Sequence, residues 1–364
     1  LLVAVALPNV PRALALDDGL CRTPIMGMNS WTAFGSAVTA ADLVEVGKFF
    51  VSSGLRDVGY KWVNTDDGWD THVRDSDGKL QPDPLKFPNG IAGLVTELKT
   101  MNLSFGIYTA ESSVVCSGRP GTLFQEFLDA QTFVEWGVGL VKNDNCGEYS
   151  YGNTRFHVFA DAVASLGSTM IISTEPFSLI PTPSHAGFAH YWRTGNDINA
   201  NWNTILNRID LNDKWAEFSG PGHFNDPDML QVGNGPLTIS EQRAHFGLWA
   251  ITKSTLILGT RVSKLSSEQL AIISNKDVIA VNQDELGIQA RKVAINGSLT
   301  ARFVGVVPCS MYEANSRYTD GVPGPNGVTK IGMTFHARAI GVVHGVTSFA
   351  LVANETGRCV GLRN

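Results

Sequence analysis

The 364-residue sequence predicts an α/β fold, a (β/α)8 TIM barrel followed by a small antiparallel β domain. Two observations carry that reading. Between residues 22 and 285, short strand-like runs alternate with amphipathic helical segments, and eight such runs in succession imply a parallel sheet closed into a ring. After about Asn282 the alternation stops, and short β segments separated by Gly, Asn and Pro follow. No G-x-G-x-x-G follows the first strand, which disfavours an open dinucleotide-binding sheet.

Taken in order, strands are expected at 25–29, 61–65, 104–109, 139–143, 170–174, 190–194, 223–225 and 255–259. Helices are expected between them, near 40–53, 91–101, 123–136, 154–166, 202–217, 239–252 and 267–274. The first is read from the apolar set Leu43, Val44, Val46, Phe49 and Phe50. The last follows Ser266, Ser267 and Glu268, a helix-start signal. The expected division is a leader or tail at 1–16, a barrel at 17–285 and a β domain at 286–364, with a long surface turn, DGVPGPNGV, at 320–328.

Composition narrows the function classes. Apolar residues make up 43% and charged residues 17%, ordinary for a chain with a sizeable core. The net charge of −6, without a basic run, argues against nucleic acid as partner. No stretch is long and apolar enough to span a bilayer. Residues 1–16, LLVAVALPNVPRALAL, read as the remains of a secretory leader with Ala13-Leu14-Ala15 as cleavage pattern, or else as a tail. Sequons at Asn102, Asn296 and Asn354 agree with a secreted or vacuole- or lysosome-like lumenal location. Five cysteines allow two disulfides and one thiol, and none has metal-site spacing. Homo-oligomerisation is left open.

The chemistry of such a barrel lies at the carboxyl ends of its strands. There the sequence places Trp31 after strand one, Asp66 and Asp67 after strand two, and Tyr108 at the end of strand three. Lys142 and Asp144 end strand four, Glu175 follows strand five, Arg193 and Asp197 strand six, and Asp226 and Asp228 strand seven. A strand leaving the core explains one polar ending, not an excess of carboxylates on one rim. A polyhydroxylated ligand suits that rim, because ionised carboxylates are strong acceptors for hydroxyls.

The segments TPIMGMNSW, VNTDDGW, GIYT, GLVKNDNC, WRTGNDI and FNDPDML occur in an order and spacing that resemble glycoside hydrolase family 27, the α-galactosidases and α-N-acetylgalactosaminidases. The resemblance covers about residues 20–290. It implies retaining hydrolysis of an α-galactoside oligosaccharide, polysaccharide or glycolipid through a covalent glycosyl-enzyme, with no metal or cofactor. By resemblance Asp144 is the nucleophile and Asp197 the acid/base. One carboxylate must be ionised to attack the anomeric carbon, while the other gives a proton to the leaving oxygen and later takes one from water. Lys142, two positions before Asp144 on the same strand face, would keep it ionised. The resemblance further implies that Arg193 orients carboxylates and sugar, that Asp66 and Asp67 bind outer hydroxyls, and that Trp31 packs on the sugar's apolar face. Tyr108 and Asp228 complete the expected contacts.

By the same resemblance, Glu175 stands where α-galactosidases carry an acid beside a galactose 2-hydroxyl pocket, although the family's usual following tryptophan is missing from STEPF. Galactose is therefore favoured over N-acetylgalactosamine. A β-L-arabinopyranosidase and a non-catalytic galactoside-binding or structural protein are the alternatives. The resemblance also implies a Cys116–Cys146 disulfide, whereas the family's cysteines after strands one and two are replaced here by FGSA and DDGW. Cys309 and Cys359 are left as a further candidate pair, with Cys21 single.

Overall fold

The structure is a computed structural model that describes residues 18–147, 155–176 and 183–292, and beyond them the backbone of strand segments up to residue 362. The leader at 1–16, Asn354 and Cys309 lie outside the described residues.

Eight parallel strands form the barrel: β1 (Met26–Asn29), β2 (Trp62–Asn64), β3 (Ser104–Ala110), β4 (Leu140–Asp144), β5 (Ile171–Thr174), β6 (Tyr191–Arg193), β7 (Phe224–Asp226) and β8 (Leu256–Leu258). Each falls on an expected strand. The sheet order is β7-β6-β5-β4-β3-β2-β1-β8. Between β7 and β8 the ring closes through a single parallel bridge, Leu230 to Leu258, where Leu230 N donates to Ile257 O at 2.7 Å and Gly259 N to Leu230 O at 2.9 Å.

The helices are α1 (Trp31–Phe34), α2 (Ala40–Ser52), α3 (Gly90–Thr100), α4 (Glu126–Trp136), α5 (Phe156–Ser165), α6 (Trp202–Asp213), α7 (Ile239–Ile251), α8 (Ser267–Ile273) and α9 (Lys276–Asn282). Thr39, Thr238 and Ser266 start α2, α7 and α8 with reciprocal side-chain caps to Asp42, Glu241 and Gln269. Apolar helix faces, such as Leu43, Val46 and Phe50 of α2, pack on the outward strand residues in one continuous core.

Inside the barrel, residues two apart along a strand share a face. Ile25, Leu140, Ile171, Tyr191, Phe224 and Ile257 fill the amino-terminal end. Two residues further along, β4 presents Lys142, β5 Ser173, β6 Arg193 and β7 Asp226 to an interior cavity. The same alternation thus packs one end of the barrel and makes the other polar. Gly106 is required on the inner face, because a Cβ there would lie 2.2 Å from Asn64 Oδ1.

Past the barrel, β9 (Arg291–Asn296) and β10 (Thr300–Val304) form an antiparallel pair. Strands β11 (Val306–Pro308), β12 (Met333–Phe335), β13 (Phe349–Ala353) and β14 (Arg358–Leu362) form an antiparallel sheet in the order β11-β14-β13-β12. Among the described residues no helix is long and apolar enough to cross a membrane.

Candidate active site

Two cationic centres organise the carboxyl rim. Lys142 Nζ lies 3.0 Å from Asp66 Oδ2 and 3.6 Å from Asp144 Oδ2. Burial alone would pull its ammonium pKa down, and the Asp66 and Asp144 charges reverse this and raise it well above the usual lysine value. Its charge is therefore secure beside Asp144. The ammonium also sits 5.1 Å from the Tyr108 ring centroid. The Tyr108 phenol is pushed up, by burial first and by Asp144 next, so it stays neutral.

Asp66 is held by three donors. It accepts from Asn29 Nδ2 at 2.8 Å, from Lys142, and from the Asp67 backbone N–H at 2.9 Å. Asn29 also accepts from the Trp31 backbone N–H at 2.9 Å, which ties α1 to the same carboxylate. Trp31 is 40% exposed, so it is not core. Asp67 turns to the next loop, where Ser117 N and Oγ donate to it at 2.8 and 2.6 Å. Asp144 Oδ1 accepts from Asn145 N at 2.7 Å.

Arg193 is the second centre. One terminal nitrogen donates to Glu175 Oε2 at 3.0 Å; the other donates to Asp197 Oδ1 at 3.0 Å and lies 3.2 Å from Asp228 Oδ2. Glu175 is buried and its pKa is raised well above the usual carboxylate value, by burial against the pull of Arg193. Asp197 behaves oppositely. Its side chain is 78% exposed. Partial desolvation by the surrounding rim raises its carboxyl, and Arg193, with Lys142 and Arg208 further off, outweighs this and holds it below the usual value. The sequence led us to expect a carboxyl that keeps its proton; in the unliganded protein the arginine beside it favours the ionised form.

Asp228 has φ of +82°, a left-handed conformation uncommon for a residue other than glycine. Its backbone N–H donates to Asp226 Oδ1 at 2.9 Å, its carboxylate accepts from Ile198 N and Met229 N at 2.7 Å each, and its carbonyl accepts from Trp249 Nε1 at 2.7 Å. These bonds hold the strained residue. Asp226, buried and raised to about 6 chiefly by burial, also accepts from Thr255 Oγ1.

The two centres meet over a cavity of about 30 Å3 walled by Lys142, Glu175, Arg193, Asp226 and Asp228, with Asn29 and Asn64 opposite. Asn64 Oδ1 and Arg193 Nε, both buried in its walls, have no hydrogen-bond partner among the described residues. That volume holds one or two waters. Beside the rim, Cys116 and Cys146 form a disulfide with Cα atoms 5.0 Å apart. Their sulfurs lie near Asp144, but being bonded to each other they leave only the carboxylate as a metal donor. Cys21 is unpaired among the described cysteines.

All ten candidate contact and catalytic residues thus fall on one rim. Asn29 and Ser117 were not singled out from the sequence, and Asp226 was placed on the rim without a role. Asn29 had a readable signal, an inward position at a strand end; Ser117 had none, because its partner lies 50 residues away.

A (β/α)8 barrel with carboxylates gathered around a lysine and an arginine at its carboxyl rim has the architecture of a glycoside hydrolase. The family model described as alpha galactosidase A matches residues 24–284, and the chain belongs to that family, the α-galactosidases of glycoside hydrolase family 27. It is 39% identical to an alpha-galactosidase of Oryza sativa subsp. japonica over 79% of this chain and 70% of the rice protein. It is 41% identical to alpha-galactosidase 3 of Arabidopsis thaliana over 82% of this chain and 68% of that protein. Among solved structures, alpha-galactosidase I from Mortierella vinacea superposes with a TM-score of 0.77 at 32% identity, covering 80% of both chains. A GH27 β-L-arabinopyranosidase from Geobacillus stearothermophilus, at 22% identity and a TM-score of 0.69 over 79% of this chain and 81% of that one, shares the fold.

Proposed function

We propose that this glycoside hydrolase removes terminal α-D-galactosyl residues with retention, Asp144 acting as nucleophile and Asp197 as acid/base. The observation that carries the reading is Lys142, whose ammonium lies 3.6 Å from Asp144 and 3.0 Å from Asp66. One cation thereby stands beside the attacking carboxylate and joins it to a carboxylate suited to an outer sugar hydroxyl. In the first step Asp144 attacks the anomeric carbon as Asp197 protonates the leaving oxygen; in the second Asp197 deprotonates a water that releases the sugar. In the unliganded protein Arg193 favours the base form of Asp197, which suits the second step. For the first, the proton must be taken up with substrate bound and Arg193 partly drawn to the sugar.

Asp66, Asp67, Tyr108, Trp31 and Asp228 are read as sugar contacts, and Glu175 with Arg193 as the boundary of the 2-hydroxyl pocket. The buried, arginine-held Glu175 is an acid where small residues would admit an N-acetyl group, which favours galactose. The substrate class is an α-galactoside oligosaccharide, polysaccharide or glycolipid; a related alpha-galactosidase of Saccharomyces cerevisiae has been solved with raffinose. A secreted or lumenal location is part of the reading. The substrate choice is tested by assaying purified protein on aryl α-galactoside, α-N-acetylgalactosaminide and β-L-arabinopyranoside side by side. Fastest turnover of the first, with α-galactose as the first-formed anomer by NMR, is expected. Preference for either other substrate, or β-galactose appearing first, would overturn it.

A further inference from the structure

We infer that Ser117 is a positioning residue for sugar binding, acting through Asp67, and that the Cys116–Cys146 disulfide couples this contact to the loop carrying Asp144. The inference rests on Asp67 being a sugar-binding carboxylate. Asp67 lies in the loop after β2, yet the side-chain and backbone donors that fix it come from the loop after β3: Ser117 Oγ at 2.6 Å to one carboxylate oxygen and Ser117 N at 2.8 Å to the other. Each oxygen keeps a lone pair for a ligand hydroxyl, with its direction set by the serine. The serine is itself oriented. Arg119 donates to Ser117 Oγ at 2.7 Å, so the hydroxyl accepts from the guanidinium and gives its own proton to Asp67. Arg119 is in turn anchored by donating its Nε–H to the Asp70 carbonyl at 2.9 Å, returning the chain of bonds to the loop after β2. The residue before Ser117 is bonded to Cys146, two positions beyond Asp144. A three-way brace results, in which the angle of a binding carboxylate and the nucleophile's loop share one fixed point.

Ser117→Ala removes the hydroxyl and keeps the backbone N–H. We expect KM for an aryl α-galactoside and the inhibition constant of free galactose to rise together, roughly tenfold, the size of one hydrogen bond to a charged group, with kcat changed less and the melting temperature lowered by no more than about 5 °C. Ser117→Thr should restore both constants. Turnover by Ser117→Ala with wild-type KM and galactose inhibition would overturn the inference alone. So would a loss confined to kcat, or a threonine variant as weak as alanine. Absence of turnover by the wild type on every α-galactoside would instead remove the functional reading, and with it the premise.

Discussion

Arg193 donates to Asp197 across four residues of chain at 3.0 Å, while its other arm holds Glu175 at the same distance. One guanidinium therefore bears on the charge of the proposed acid/base carboxylate and on the position of a buried neighbour. Because this cation holds Asp197 low, the fraction carrying a proton falls as pH rises through the acidic range. For the wild type, kcat/KM should rise as pH falls and show no plateau near neutrality. Arg193→Gln removes the positive charge and raises the Asp197 pKa. The absolute rate should drop at least tenfold, yet the alkaline limb of the kcat/KM profile should move to higher pH. An unmoved or downward-shifted limb would separate Arg193 from Asp197's titration.

Asp144→Asn and Asp197→Asn should differ in kind. The first removes the nucleophile and should lower turnover of every α-galactoside by several orders of magnitude. The second leaves attack possible where the leaving group needs no proton. It should therefore retain a larger share of wild-type rate on an activated aryl galactoside than on an oligosaccharide, and accumulate glycosyl-enzyme visible by intact-protein mass spectrometry. Equal losses on both substrates would exclude Asp197 as the acid.

The Cys116–Cys146 disulfide closes a loop with a sequence separation of 30. Loop-closure entropy assigns such a bridge roughly 3–4 kcal/mol. The Cys116→Ser, Cys146→Ser double variant should melt roughly 5–10 °C lower by calorimetry and bind galactose more weakly. A melting temperature within 1–2 °C of wild type, to order of magnitude, would show that the loops hold themselves.

Asp70 is buried, and burial raises its carboxyl to about 7, with nearby Arg119 only partly opposing this. The unfolded chain titrates this group near the usual value of about 4. Below that value both states are protonated and the group costs nothing; as pH rises toward 7 the unfolded chain loses its proton first, and stability is lost. Asp70→Asn removes that dependence. Relative to wild type it should gain on the order of 4 kcal/mol between pH 4 and pH 8 by urea denaturation. A difference that is flat with pH would show that Asp70 is already ionised in the fold.

The barrel was legible because its strands are buried on both faces and bounded by turn residues, so all eight stand out, and because the rim residues follow from where those strands stop. Helix α9 was not expected, since Lys276–Asn282 directly follows α8 and seven residues are too few to establish a periodicity. Ser117 could not be read, because a side chain in one loop that fixes a carboxylate in another leaves no local pattern. The charge of Asp197 escaped for a different reason: Arg193 is visible four positions earlier, but whether it grips Asp197 or only Glu175 depends on the bend between them.

Among the described residues the backbone pairing between β7 and β8 is limited to the Leu230–Leu258 bridge, and Asp228 in its left-handed turn lies two residues before that joint. The stave most easily parted from its neighbour thus carries one of Arg193's counter-charges. Breathing at this joint would expose the Leu230 and Gly259 amides to deuterium before those of the broader β3–β4 pairing, and a bound sugar touching Asp228 would act as the missing hoop.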